Sequence, residues 1–149
     1  MKIIVAVDDN NGVLFNHRRL SKDRELKKRI LDIVNASSSR LFITSFSEKL
    51  FADEIDDWEN EIVVDDDMLQ HASDEDYCFI EDADVGDHFE NIHEIILYRW
   101  NREYPADTFF YFPEEDYQQI SENEFSGYSH DTITEERWIR QSEGEWWYE

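Results

Sequence analysis

Carboxylates are the side chains with the most chemistry to offer in this sequence, and they are unevenly spaced. No Lys or Arg occurs between Lys49 and Arg99, while that interval holds Asp56 and Asp57 beside Trp58, the run Asp65, Asp66 and Asp67, and the group Glu81, Asp82 and Asp84. Few of these acids can find an internal cation. They are expected to form an anionic surface that attracts a basic protein, or one that simply keeps the chain soluble. Trp58, and Trp146 and Trp147 far along the chain, add aromatic anchors of the kind that concentrate binding energy. Residues Asp82 to Asp87 have part of the spacing of a calcium loop, but the glycine is one place early and no glutamate stands at the twelfth position. The histidines, His17, His71, His88, His93 and His130, show no metal-ligand spacing. Cys78 stands alone in an apolar stretch, so neither a disulfide nor a cysteine-clustered zinc site is expected. There is no glycine-rich phosphate loop and no Gly-x-Ser-x-Gly nucleophile elbow.

The charge has a location. Residues 1–50 carry ten Lys and Arg against six Asp and Glu, whereas the remainder carries four bases against 31 acids. Binding of nucleic acid or an anionic membrane is disfavoured, because its electrostatic component needs a basic face larger than Arg18 to Arg29 provides. A chain of 149 residues that is 40% hydrophobic, with ten Phe, seven Tyr and five Trp, has the size and apolar content of one folded domain. No apolar run reaches the length of a membrane span and the first residues do not read as a signal peptide, so a cytoplasmic location is expected.

Patterning supplies the elements that must carry these residues. Residues 2–7 form a β-branched run ending at the breaker cluster Asp8 to Gly12, which predicts a first, buried strand. Leu26, Ile30, Leu31 and Val34 recur at helical spacing, with Asp23 and Glu25 at the end where the helix dipole favours acids. Residues 40–44, 61–64, 77–80 and 93–100 read as further strands, the last of them the longest, and short helices are expected from Ser47 and over 85–91. This alternation predicts an α/β fold with a mainly parallel central sheet. Residues 122–128 and 132–140, around Ser129-His130-Asp131, predict a C-terminal antiparallel hairpin at the sheet edge. The aromatic tail 145–149 is expected to dock on this chain or another.

The opening strand with its turn, Leu20-Ser21-Lys22-Asp23 at a helix entry, and Arg40-Leu41-Phe42-Ile43-Thr44 resemble corresponding segments of dihydrofolate reductases. So do Tyr77-Cys78-Phe79-Ile80, Phe89, Glu94-Ile95-Ile96-Leu97-Tyr98 and Ala106-Asp107-Thr108-Phe109-Phe110, in step with that family's later elements. The resemblance runs over nearly the whole chain and implies a dihydrofolate reductase-like three-layer fold in one domain, 1–149. It also implies where a dinucleotide would bind, and those positions depart from the family. The family's Gly-Gly pair after the central strand, which takes a cis peptide beside the pyrophosphate, is Glu81-Asp82 here. A non-proline cis bond costs roughly 2.5–4 kcal/mol, and a carboxylate near a phosphate adds about 1 kcal/mol of repulsion in water and about 4 near a protein surface. The second phosphate site is Ser45-Phe46-Ser47-Glu48, without a cation, and the first-loop Pro-Trp is replaced by the neighbourhood of Arg18-Arg19-Leu20.

No cofactor is therefore expected. Asp23 falls where the family keeps its pterin-binding acid, although Lys27 stands where the family usually places a phenylalanine. The leading expectation is a non-catalytic interaction protein on a reductase-like scaffold. In its sharpest form it mimics nucleic-acid charge and inhibits a basic nucleic-acid-binding protein. The alternatives are a divergent NADPH-dependent reductase or pterin-binding enzyme with Asp23 as proton source, and self-association through the C-terminal aromatics.

Overall fold

The structure, a computed structural model, describes residues 1–57 and 60–141. Trp58, Trp146 and Trp147 lie outside the described residues, as does the tail 145–149. The main sheet contains β1 (Lys2–Val7), β4 (Leu41–Ile43), β5 (Ile62–Val64), β6 (Tyr77–Ile80), β7 (Glu94–Arg99), β9 (Tyr117–Phe125) and β10 (Ile133–Arg140), in the order β5-β4-β6-β1-β7-β10-β9. A smaller sheet joins β2 (Gly12–Phe15), β3 (Arg18–Arg19) and β8 (Thr108–Phe109). The helices are α1 (Arg24–Ala36), α2 (Ala52–Ile55) and α3 (Met68–His71), with 3-10 turns at Ser45–Ser47, Gly86–Asn91 and Glu114–Asp116.

β1 is central because it is apolar toward both faces. It runs parallel to β6 on one side and β7 on the other, with Ile3 level with Cys78 and Ile95. Ile3, Val5, Cys78, Ile80, Ile95 and Leu97 fill a core on one face, while Ile4, Phe79, Ile96 and Tyr98 fill the other. Alternate residues point to opposite faces of a strand, so a run without polar positions requires cover on both. On the second face the cover is α1, whose Leu26, Ile30 and Val34 all face inward. On the first it is assembled from Met68 and Leu69 of α3 and from Val85, Ile92, Phe110 and Tyr117 on irregular segments. The result is the expected three-layer α/β fold, with one layer built mostly of loops.

Several local expectations need correction. The longest strand is β9, of nine residues, whereas β7 has six because the chain turns away at Trp100. Residues 86–91 form a 3-10 turn rather than an α-helix, so no long helix follows β6. The aromatic stretch 108–112 contributes only a two-residue strand to the smaller sheet. The hairpin appears as expected, with β9 starting earlier, at Tyr117.

Candidate functional site

The C-terminal ends of parallel strands are where open α/β sheets usually gather functional groups. Here the loop after β1 is organised by the fully buried carboxylate of Asp8, which accepts the Gly12 N–H at 2.6 Å, the Asn10 N–H at 2.9 Å and the Tyr104 N–H at 3.0 Å. Gly12 is required, because a Cβ there would lie 2.5 Å from that of Ala106. The chain then reverses through Asn16 and His17, both in the left-handed region (φ 51° and 59°), and returns as β3. That turn delivers Arg19 and Ser21 to the end of β6 and the start of α1.

Asp23 caps α1 and is enclosed. One carboxylate oxygen accepts the N–H groups of Glu25 (2.9 Å), Leu26 (3.4 Å) and Tyr128 (2.9 Å). The other accepts the Ser129 N–H (2.8 Å), the Ser129 hydroxyl (3.1 Å) and the Nδ1 of His130 (3.0 Å). Burial alone would raise its pKa, but the hydrogen bonds from Tyr128, His130, Ser129 and Glu25 hold it well below the usual carboxylate range. The far nitrogen of His130, Nε2, lies 3.1 Å from the Ser21 hydroxyl and 2.9 Å from that of Tyr104, and the ring stacks on Trp100 with centroids 4.5 Å apart. Gly127 lets this loop close down, since a Cβ there would meet Asp23 Oδ2 at 2.6 Å.

Two spaces meet at Ser21. One is a cavity of about 30 Å³ bordered also by Leu26, Phe79, Ile80 and Trp100. Such a volume holds a water molecule or a methyl-sized group, far below the ~300 Å³ or more of an ordinary ligand pocket. The other is an open cleft of about 450 Å³ lined by Arg18, Arg19, Lys22, Phe46 and Lys49. Arg18, Lys22 and Lys49 make no side-chain ion pair among the described residues.

The expected acidic residues separate into groups. Glu81 is not part of the exposed surface. It is buried, held bidentately by Arg19 at 2.6 Å through both oxygens, and bonded by the Ser47 hydroxyl at 2.7 Å. Asp82 is exposed and accepts the Thr44 hydroxyl at 2.7 Å. Asp66 accepts both the N–H (2.8 Å) and the hydroxyl (2.9 Å) of Ser45. Asp65 pairs with His71 at 2.7 Å; the hydrogen bond from His71 lowers its pKa, and that of His71 is raised in turn. Thr44 and Ser45 follow β4, Asp65 to Asp67 follow β5, and Asp82 and Asp84 follow β6. Since β5, β4 and β6 are adjacent, these acids share one edge of the sheet. Asp56 and Asp57 do not join them. They lead from α2 toward Asn60, which bonds Asn35 at the far end of α1.

Every peptide bond among the described residues is trans, that between Glu81 and Asp82 included. No group of three or more His, Cys, Asp or Glu among the described residues is placed to hold a metal ion. None of the described helices is long and apolar enough to cross a membrane. Sequence reasoning singled out Asp23 and Asp82 but did not bring Ser21, His130, Tyr104 or the Arg19–Glu81–Ser47 cluster together as partners; 107 residues separate Asp23 from His130.

No protein-family profile matches the chain, and no curated protein does. Among solved structures it is similar to a dihydrofolate reductase from Enterococcus faecalis complexed with NADP(H) and RAB-propyl. That similarity has a TM-score of 0.61 at 9% identity and covers 95% of this chain and 97% of the other. The chain therefore has a dihydrofolate reductase-like fold.

Proposed function

We propose that this protein is an acidic interaction protein on a reductase-like scaffold, without dinucleotide-dependent chemistry, whose sheet edge receives a basic protein. The observation that carries the reading is the convergence of Asp65, Asp66, Asp67, Asp82 and Asp84 at the ends of β5 and β6, where Arg19 is neutralised by Glu81. An array of carboxylates in which Asp65, Asp66 and Asp82 are fixed by His71, Ser45 and Thr44 can imitate a row of phosphates, and a protein that binds nucleic acid through Lys and Arg would meet it favourably. Inhibition of such a protein is the sharpest form of the proposal.

Reductase chemistry finds little support. The Asp23 carboxylate is spent on six internal donors, which leaves neither oxygen free for a pterin. The test is competition: a lysine-rich histone on fluorescent duplex DNA is titrated with the protein at moderate salt. Release of DNA is expected, with loss of that release in the combined variant Asp65→Asn, Asp66→Asn and Asp67→Asn. Equal release by the variant, or none by the parent, sinks the reading. Tryptophan fluorescence titrated with NADPH and dihydrofolate is expected to stay flat.

A further inference from the structure

We propose that Ser21, His130 and Asp23 form a nucleophilic relay that hydrolyses small acyl esters, preferentially acetyl esters of negatively charged alcohols. This goes beyond the acidic-edge reading and uses a different face of the molecule. The relay is directional. His130 Nδ1–H donates to the ionised Asp23 at 3.0 Å, which fixes the tautomer and leaves the Nε2 lone pair facing the Ser21 hydroxyl at 3.1 Å. The Tyr104 hydroxyl lies 2.9 Å from the same Nε2 and 3.3 Å from Ser21 Oγ; when it donates to Ser21 Oγ, the serine proton is the one aimed at the imidazole. Trp100 and the walls around His130 keep the base dry, its residue being 4% exposed. A serine, a histidine base and a buried acid in hydrogen-bond sequence is the arrangement that makes a hydroxyl nucleophilic on unrelated folds, where it is recognised by geometry rather than by sequence order.

The surroundings define the substrate. Ser21 stands between the 30 Å³ cavity, whose lining joins Leu26, Phe79, Ile80 and Trp100 with charged residues that include Arg19 and Lys27, and the open cleft, so an acyl methyl would enter the first while the alcohol portion lies in the second. Arg18, Lys22 and Lys49 line that cleft without ion pairs among the described residues, in a protein of net charge −23, and would attract an anionic leaving group. In the first step Ser21 Oγ attacks the ester carbonyl carbon, its proton passes to His130 Nε2, and the leaving alkoxide takes that proton as the C–O bond breaks. In the second step water adds to acetyl-Ser21, again giving a proton to His130. Acetic acid leaves and gives its remaining proton to solvent, while Ser21 Oγ recovers the proton held by His130. Ser21 and His130 are the catalytic residues, while Asp23 and Tyr104 position them.

The test uses the full chain with 4-acetoxybenzoate, its neutral methyl ester and the corresponding 4-butyryloxybenzoate, followed by chromatography and peptide mass spectrometry. Hydrolysis above the buffer rate is expected, with an acetyl adduct on Ser21 at short times. The charged acetyl ester should exceed the neutral one in kcat/KM by about fivefold or more, the factor that one charge contact in an open, solvated cleft supplies. The butyryl ester should be the poorest. Ser21→Ala should return the rate to background with an unchanged circular dichroism spectrum. His130→Gln should lower it by about 10²–10⁴-fold, and Tyr104→Phe should lower kcat with little change in KM. A wild-type rate equal to buffer overturns the proposal, as does a rate that survives Ser21→Ala or an adduct only on other residues. Equal turnover of charged and neutral esters overturns the assigned substrate class.

Discussion

Replacing Asp23 by Asn tests the centre of the molecule with almost no change in shape. Both carboxylate oxygens face donors: three on Oδ1, from Glu25, Leu26 and Tyr128, and three on Oδ2, from the Ser129 N–H and hydroxyl and from His130. An amide has only one oxygen. Whichever way it is turned, its NH2 group points at donors. The less damaging orientation aims it at Ser129 and His130, where the hydroxyl can turn and the imidazole can change tautomer, but the Ser129 N–H is still orphaned. Losing about two hydrogen bonds to a charged acceptor, at ~1.5–3 kcal/mol each, gives a destabilisation of roughly 3–6 kcal/mol. For a chain of this length each kcal/mol moves Tm by roughly 2–4 °C, so a fall of about 6–24 °C is expected. The whole fold is worth roughly 7–22 kcal/mol on a per-residue basis, so the variant should still be folded at room temperature. Urea unfolding followed by tryptophan fluorescence supplies the number, and Trp100 on His130 reports the site directly.

The same variant has a pH signature. The folded pKa of Asp23 is depressed below its ordinary value of about 4. Its contribution is therefore fully present above that value and is lost as pH falls through the acid range toward the depressed one. The stability gap between wild type and Asp23→Asn should be constant above about pH 5 and shrink below about pH 4. A gap under about 1 kcal/mol at neutral pH, or one that widens on acidification, would refute the reasoning.

Two further outcomes follow from other buried groups. Glu135 is 1% exposed and holds Arg29 bidentately at 2.8 and 2.9 Å while accepting the Tyr98 hydroxyl at 2.8 Å. Arg29→Met should cost about 3 kcal/mol in urea unfolding, the lower end of the range for breaking a buried pair because Arg29 is partly exposed, and adding Glu135→Gln should recover part of it. The Cys78 thiol is fully buried and burial pushes its pKa up to about 12, so a disulfide reagent at neutral pH should react with it only after unfolding.

The main sheet was legible because its inner strands are uninterrupted apolar runs and α1 repeats its apolar residues at helical spacing. The smaller sheet was not. Its strands are two to four residues long, and the turn between β2 and β3 places Asn16 and His17, rather than glycine, in left-handed backbone, so the usual hairpin signal is missing. The acidic interval was visible as charge, but which carboxylates remain outward depends on pairings across strands. Glu81 meets Arg19 from 62 positions earlier, and Asp66 meets Ser45 from 21 earlier. His130 looked like part of a turn, since only the closure of the 127–130 loop on α1 brings its ring to Asp23, Ser21, Tyr104 and Trp100.

The placement of β1 also bears on how the chain reaches its native state. β1 is the first strand along the chain, yet its partners begin at Tyr77 and Glu94, so its apolar backbone stays unpaired on both sides until most of the sequence is available. Loop-closure entropy on that scale slows folding relative to a helical bundle of equal size and leaves a sticky strand exposed meanwhile. α1, which needs only local contacts to nucleate and presents Leu26, Ile30 and Val34 to the same apolar surface, is the nearest element able to shield it on a growing chain.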